Sequence, residues 1–204
     1  MATRGQSARV WVVDDDPGLG TALARLLRAA AIESVVMQSS TAFLERLARE
    51  QPDCLLLDLW LADGSSLELL PRIHALAGQL PVVFMSAEPD VRSCVQAMKD
   101  GAIDFLEKPV ADGALLDAVI RGVARGRSWQ EARASREAAS RRLATLTRRE
   151  REVFGLVAQG KPNKRIAAEL GTTEKTIKVH RGRVMQKLGA NSVVDLVHIA
   201  QQAA

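Results

Sequence analysis

Cys54-Leu55-Leu56-Leu57-Asp58 is a short apolar run that ends in a carboxylate. Three other runs share its form. Val10 to Val13 leads into Asp14-Asp15-Asp16, Pro81 to Met85 into Ser86, and Ala102 to Leu106 into Glu107-Lys108-Pro109. Apolar runs of this length, bounded by polar or turn residues, read as buried strands. A further strand is expected at Ser34–Met37. Helical patterns alternate with the strands. Pro17 opens one, with Asp16 as its cap and Leu19, Leu23, Leu26, Leu27 and Ala30 as its apolar stripe. Phe43, Leu44 and Leu47 line a second over residues 40–49, and a third is expected around 65–76. Val91, Val95 and Met98 supply the buried face of a fourth, and residues 111–125 form a fifth. This alternation predicts an α/β fold, a doubly wound parallel sheet of five strands covered on both faces. In such a sheet the C-terminal strand ends converge on one crevice where ligands bind.

The polar groups delivered to that crevice define a chemistry. Asp15 and Asp58 can coordinate a hard divalent cation, since Mg²⁺ prefers carboxylate oxygens, water and phosphate. Asp14 either holds a coordinated water or orients Asp15. Asp58 would be a nucleophile forming an acyl phosphate. Lys108 would pair with phosphoryl oxygens as a point charge, and the Ser86 hydroxyl would donate to them. The Lys108–Pro109 bond is a candidate cis peptide. Each residue alone has a plainer reading: a helix cap, a turn former, a solvated loop lysine. Four such groups in order at four strand ends make the plain reading improbable.

The chain of 204 residues has 47% apolar and 25% charged residues, in line with a globular protein of one or two domains. No apolar run is long enough to cross a membrane, and Met1 to Arg9 lacks the apolar stretch of a signal peptide. The two cysteines, Cys54 and Cys94, read as free buried thiols in a reducing cytoplasm. Charge divides the chain. Residues 1–121 carry 11 Lys/Arg against 17 Asp/Glu, a balance of −6, whereas residues 122–204 carry 17 against 7, a balance of +10. A basic half is the electrostatic footprint of a nucleic-acid binder, or, more blandly, a solvated basic surface.

Residues 122–142 are expected to continue the fifth helix or to form a semi-rigid linker, with a hinge allowed at Gly122 and Gly126. Beyond them the pattern is all helical. Thr147 and Glu150 fit a capping box opening a helix to Ala158. Ile166, Ala167 and Leu170 mark a short helix closed by Gly171. Thr172 or Thr173 caps the next, with Ile177, Val184 and Leu188 inward and Gly189 at its end. Ser192 and Asp195 start the last. Two helices around a Gly turn, 163–170 and 173–188, read as a helix-turn-helix. With its apolar side inward, the second presents Lys175, Lys178, Val179 and Gly182 on one outer face. Lys178 could donate to guanine and Val179 touch a thymine methyl in a major groove. Gly182 lets the backbone approach but reads no base. Lys164, Thr176, Arg183 and Lys187 suit phosphate contacts. His180 leans toward the core, as a hydrogen-bonded imidazole.

Val12-Val13-Asp14-Asp15-Asp16, Leu55-Leu56-Leu57-Asp58-Leu59, Val83-Phe84-Met85-Ser86-Ala87 and Gly101-Ala102-Ile103-Asp104-Phe105-Leu106-Glu107-Lys108-Pro109 resemble the receiver domain of two-component response regulators. Leu146-Thr147-Arg148-Arg149-Glu150-Arg151-Glu152-Val153, Asn163-Lys164-Arg165-Ile166-Ala167, Thr176-Ile177-Lys178-Val179-His180 and Val184-Met185-Gln186-Lys187-Leu188-Gly189 resemble the LuxR-type helix-turn-helix of FixJ- and NarL-type regulators. The resemblance implies a flavodoxin/CheY-like receiver over residues 8–125, a helical linker over 126–142, and a four-helix DNA-binding domain over 143–204. It implies phosphorylation of Asp58 by a sensor histidine kinase with Mg²⁺ (or Mn²⁺). Asp14, Asp15, Asp58 and the backbone carbonyl of Trp60 would hold the ion. In the implied switch, Ser86 moves toward the phosphoryl group and Phe105 turns inward, although Phe105 also reads as an ordinary core aromatic. The implied outcome is a homodimer on promoter DNA that regulates transcription with RNA polymerase, more often as an activator.

The sequence departs from the receiver pattern after the phosphoacceptor. Leu61, Ala62 and Ser66 replace a Met-Pro pair and a later Gly, and Trp60 is large for its place. Trp60 either shields an acyl phosphate from water or packs on the surface. Two other functions fit parts of the sequence. Asp14-x-Asp16 resembles the start of a haloacid-dehalogenase-type phosphatase, but Gly18 stands where that family has Thr or Val, and Asp58 is left without a role. The other is a DNA-binding or interaction module that takes no phosphate.

Overall fold

Residues 7–203 are described here from a computed structural model. The chain divides into two compact units, Met1–Trp129 and Gln130–Ala204.

In the first unit, five strands form one parallel sheet in the order β2-β1-β3-β6-β7. They are β1 (Arg9–Val13), β2 (Glu33–Met37), β3 (Cys54–Asp58), β6 (Val82–Ser86) and β7 (Asp104–Glu107). The helices between them are α1 (Pro17–Ala29), α2 (Ser40–Leu47), α3 (Leu70–Ala77) and α4 (Val91–Lys99), with α5 (Asp112–Ala144) following β7. Central strands β1, β3 and β6 are buried on both faces, so they read as continuous apolar runs rather than as alternation. One core lies under α2 and α3, around Trp11, Phe43, Leu55, Leu57, Ile73 and Phe84. The other lies under α1 and α5, around Val10, Val12, Leu27, Leu56, Leu115 and Val119. Local signals act as expected at α1: the Asp16 side chain accepts from the amides of Gly18 and Leu19, and Pro17 occupies the first turn.

Four expectations need correction. The helix expected around 65–76 starts later, at Leu70, and runs to Ala77; a hairpin, β4 (Trp60–Leu61) against β5 (Gly64–Ser65), and a 3-10 turn over Ser66–Leu69 precede it. The two-residue turn at Ala62-Asp63 is held to α2 by a Ser40–Asp63 hydrogen bond. Second, Val91, Val95 and Met98 are 81%, 46% and 49% exposed, while Ala97 and the half-buried Ser93 and Cys94 face the sheet. Helix α4 carries two stripes at helical spacing, and periodicity alone does not say which one goes in. Third, Gly122 and Gly126 do not interrupt the helix. Helix α5 is unbroken, and both glycines are closely packed: a Cβ at Gly122 would fall 2.4 Å from the Cys54 Sγ on β3, and one at Gly126 would meet the Asp53 carbonyl just before that strand. Fourth, only Cys54 is fully buried, its thiol pushed up to about 12 by desolvation; Cys94 is half-buried.

The second unit contains α6 (Arg148–Ala158), α7 (Asn163–Glu169), α8 (Glu174–Leu188) and α9 (Val193–Ala203). Their shared core holds Val153, Phe154, Ile166, Ile177, Val184, Leu188 and Leu196. Both halves of the Thr147–Glu150 capping box are made. Gly171 at φ 61° ends α7, and the Thr172 amide closes back on the Ala167 carbonyl at 2.9 Å. Thr173, rather than Thr172, caps α8, and Gly189 ends it in the left-handed conformation.

Candidate functional site: an acidic strand-end pocket and a basic helix

The strand order reverses direction at β1, between β2 and β3, which is where a doubly wound sheet opens its crevice. Asp14 and Asp15 follow β1, and Asp58 ends β3. Register pairs Asp58 with Met85 and Ser86 with Glu107, so the ends of β3, β6 and β7 stop level with one another. The Lys108 amide donates to the Ser86 carbonyl at 2.7 Å, and the Lys108–Pro109 bond is cis. The Lys108 side chain lies over the crevice. Its Nζ lies 2.7 Å from Asp14 Oδ2 and 2.7 Å from Asp58 Oδ2.

The electrostatics follow from burial. Asp14 is fully buried, Asp58 nearly so, and Asp15 is exposed. Desolvation raises the Asp58 pKa above the ordinary carboxylate range; the Lys108 ammonium and the Trp60 amide oppose it without cancelling it. Burial acts to lower the Lys108 pKa, but hydrogen bonds to Asp14 and Asp58 outweigh it and hold it above its usual value. Carboxylate oxygens of Asp14, Asp15 and Asp58 lie within 4.8 Å of one another. Three hard oxygen donors gathered at an open crevice fit a hard divalent cation.

The neighbouring groups are placed as follows. Ser86 is buried, and its Oγ accepts the Glu88 amide at 3.2 Å. Phe105 is half-buried, its ring 6.4 Å from that of Phe84. Trp60 donates its amide to Asp58 Oδ1 at 3.2 Å, and its side chain is 54% exposed. Asp16 caps α1, its side chain accepting from the amides of Gly18 and Leu19.

On the second unit, Lys164, Lys175, Lys178, Val179, Gly182 and Arg183 are exposed, and Thr176 is half-buried beside its cap partner Thr173. The five exposed cations Lys164, Arg165, Lys175, Lys178 and Arg183 have no polar partner among the described residues. Arg165 was missed in the sequence, although its charge next to Lys164 was a usable signal. Lys187 differs from the expectation of a free phosphate contact. Its Nζ lies 2.6 Å from the buried Glu150 carboxylate and reaches the Thr145 carbonyl at 3.3 Å. That ion pair first, with the Thr147 cap, lowers Glu150 to about 2. Arg149 donates to the Leu170 carbonyl at 2.6 Å and Arg181 to Asn163 at 3.1 Å, so each helix of the trio is braced to the others. His180 is half-buried, but its Nδ1 has no hydrogen-bond partner, contrary to expectation. No helix among the described residues is long and apolar enough to cross a membrane.

A receiver-type acidic pocket and a helix-turn-helix with an unpaired basic face define a DNA-binding response regulator. Residues 10–120 match the response regulator receiver domain, and residues 144–200 match the bacterial regulatory proteins of the luxR family. Nodulation protein W of Bradyrhizobium diazoefficiens is 38% identical over 194 residues, covering 95% of this chain and 86% of that one. The transcriptional regulatory protein FixJ of Azorhizobium caulinodans is 35% identical over 195 residues, covering 96% and 92%. The solved structure of the response regulator StyR is 38% identical, with a TM-score of 0.84 over 97% of this chain and 100% of that one. The chain belongs to the two-component response regulators with a luxR-type DNA-binding domain.

Proposed function

We propose that a phosphoryl group on Asp58 switches this regulator. The observation that carries the reading is the Lys108 ammonium, held between Asp14 and Asp58 with Asp15 alongside. An Asp58 oxygen attacks the phosphorus of a phosphohistidine on a sensor histidine kinase. The P–N bond breaks as the P–O bond forms, and the departing imidazole takes a proton from solvent. Asp14, Asp15, Asp58 and the Trp60 carbonyl would hold Mg²⁺ or Mn²⁺, which when bound offsets repulsion between carboxylates and phosphoryl oxygens. Lys108 pairs with one phosphoryl oxygen, and Ser86 moves to donate its hydroxyl to another. Phe105 turns inward in the same step. Trp60, next to the acyl phosphate and half in solvent, shields it from water.

Phosphorylation shifts a pre-existing equilibrium toward a homodimer. The exposed Val91, Val95 and Met98 stripe supports this, because a contiguous apolar face on a small unit is suited to a protein partner. The dimer sets two copies of α8 on promoter half-sites about one helical turn apart. Lys178 and Val179 read bases; Lys164, Lys175, Thr176 and Arg183 hold phosphates. The bound dimer regulates transcription in the cytoplasm, most simply by activating RNA polymerase.

The test uses the full chain with Mg²⁺ and acetyl phosphate as donor, and selection from a random duplex library. Wild type is expected to gain one phosphoryl mass and to enrich a two-part site more strongly with donor than without. Asp58→Asn is expected to do neither. A phosphoryl group retained in Asp58→Asn, or enrichment indifferent to the donor, overturns the proposal.

A further inference from the structure

Gly182 stands in the interior of α8 with an ordinary helical backbone, and a Cβ built there would meet nothing within 4 Å. The fold therefore gives no reason for a glycine. There is no positive φ, as at Gly189, and no close approach of a neighbour, as at Gly126. A mid-helix glycine is also among the poorest helix formers, because it leaves the unfolded chain more freedom to lose. The unit keeps a destabilising residue at an open, exposed position. Its surroundings are particular: Lys178 lies one turn before it, Val179 three residues before, and Arg183 next to it, all exposed.

We infer that Gly182 is a specificity-determining position, kept bare so that the α8 backbone can seat against the floor of a DNA major groove. This rests on the DNA-binding reading above and deepens it. Without a side chain at 182, the helix approaches closely enough for the short Val179 side chain to touch a base, while the longer Lys178 and the flanking cations reach outward. A side chain at 182 would lift that section of helix and withdraw Val179 first. Duplex DNA is the occupant that the unpaired lysines and Arg183 select. Stability and DNA binding then respond to substitution with opposite signs.

Gly155 supplies an internal control. It is also mid-helix and free of neighbours within 4 Å of a built Cβ, but it lies on α6. Gly182→Ala, Gly182→Leu and Gly155→Ala are compared in the full chain, using the duplex that wild type selects. Gly155→Ala and Gly182→Ala are expected to slow hydrogen exchange of their own helix by about two- to fivefold. Gly155→Ala keeps wild-type affinity. Gly182→Ala weakens binding, and Gly182→Leu weakens it by roughly tenfold or more, as an overpacked contact does. The slope of affinity against salt changes by less than one phosphate's worth, since no charged side chain is removed. Preference at the bases under Val179 relaxes. Wild-type affinity in Gly182→Leu overturns the inference, and so does faster exchange in Gly182→Ala. If wild type and Gly155→Ala enrich no duplex at all, the DNA-binding reading itself falls.

Discussion

Lys108 Nζ donates to Asp14 Oδ2 at 2.7 Å, and Asp14 has no exposed surface. The same ammonium serves Asp58, so one cation offsets the repulsion between two buried carboxylates. Removing it strands both. Lys108→Met is expected to destabilise the first unit by about 3–5 kcal/mol in urea unfolding at low divalent-cation concentration. Adding Asp14→Asn should recover much of that loss, because the cost lies in the stranded charge. An undiminished loss in the double variant would refute this account.

Asp58 has a raised pKa in the folded chain, so its ionised form is the disfavoured one. Its contribution to stability is greatest at low pH, where it is protonated, and falls as pH rises through the folded value. Asp58→Asn should therefore be more stable than wild type at pH 7, with the difference shrinking toward pH 4. Unfolding curves at the two pH values measure it.

Glu150 behaves in the opposite sense. Its carboxyl is lowered from 4.5 to about 2 by Lys187 and the Thr147 cap. A depressed pKa gives stability that is complete above the unfolded value and lost as pH falls from about 4.5 through about 2. Exchange of the α6 and α8 amides should accelerate across that window. In Glu150→Gln the pH dependence should flatten.

Gly126 tests the reading of α5. A Cβ there would lie 2.1 Å from the Asp53 carbonyl oxygen, which is backbone and has little room to yield. Gly126→Ala should destabilise the first unit by about 1–3 kcal/mol, although alanine is the better helix former. A stabilised variant would restore the hinge.

The α4 stripe should be separable from folding. Val91→Glu places a charge on a residue that is 81% exposed, so the melting temperature should stay within a degree or two of wild type. Sedimentation with acetyl phosphate and Mg²⁺ should show a dimer for wild type and a monomer for the variant. A dimeric variant would move the proposed interface elsewhere.

Much of the candidate site was legible because strand ends in a parallel sheet are forced together. An apolar run followed by Asp14-Asp15, Asp58, Ser86 or Lys108 fixes both an element and the end at which its polar group emerges. Helix ends were legible for a similar reason. Asp16, Thr147 and Gly189 act on amides and carbonyls within a few residues of themselves. Legibility failed where a residue had two partners of equal local merit. Val91, Val95 and Met98 repeat at helical spacing, but Ser93, Cys94 and Ala97 do too, and close packing on the sheet favours the smaller set. Gly122 and Gly126 read as weakness along the helix, because their true partners, Cys54 and the Asp53 carbonyl, are some seventy residues away. Lys187 read as a free cation until Glu150, on another helix, came within 2.6 Å.

By itself the sequence determined the alternation of strands and helices, the caps, the two oppositely charged halves and the order of the acidic groups, because each depends on spacing or on neighbours a turn away. Only the tertiary structure decided that Lys108 spans Asp14 and Asp58, that α4 turns its larger apolar side chains outward, and that Lys187 is held within its own unit while Gly182 stands open. Those outcomes are set by which surfaces meet across the fold, and a linear pattern leaves such pairings free.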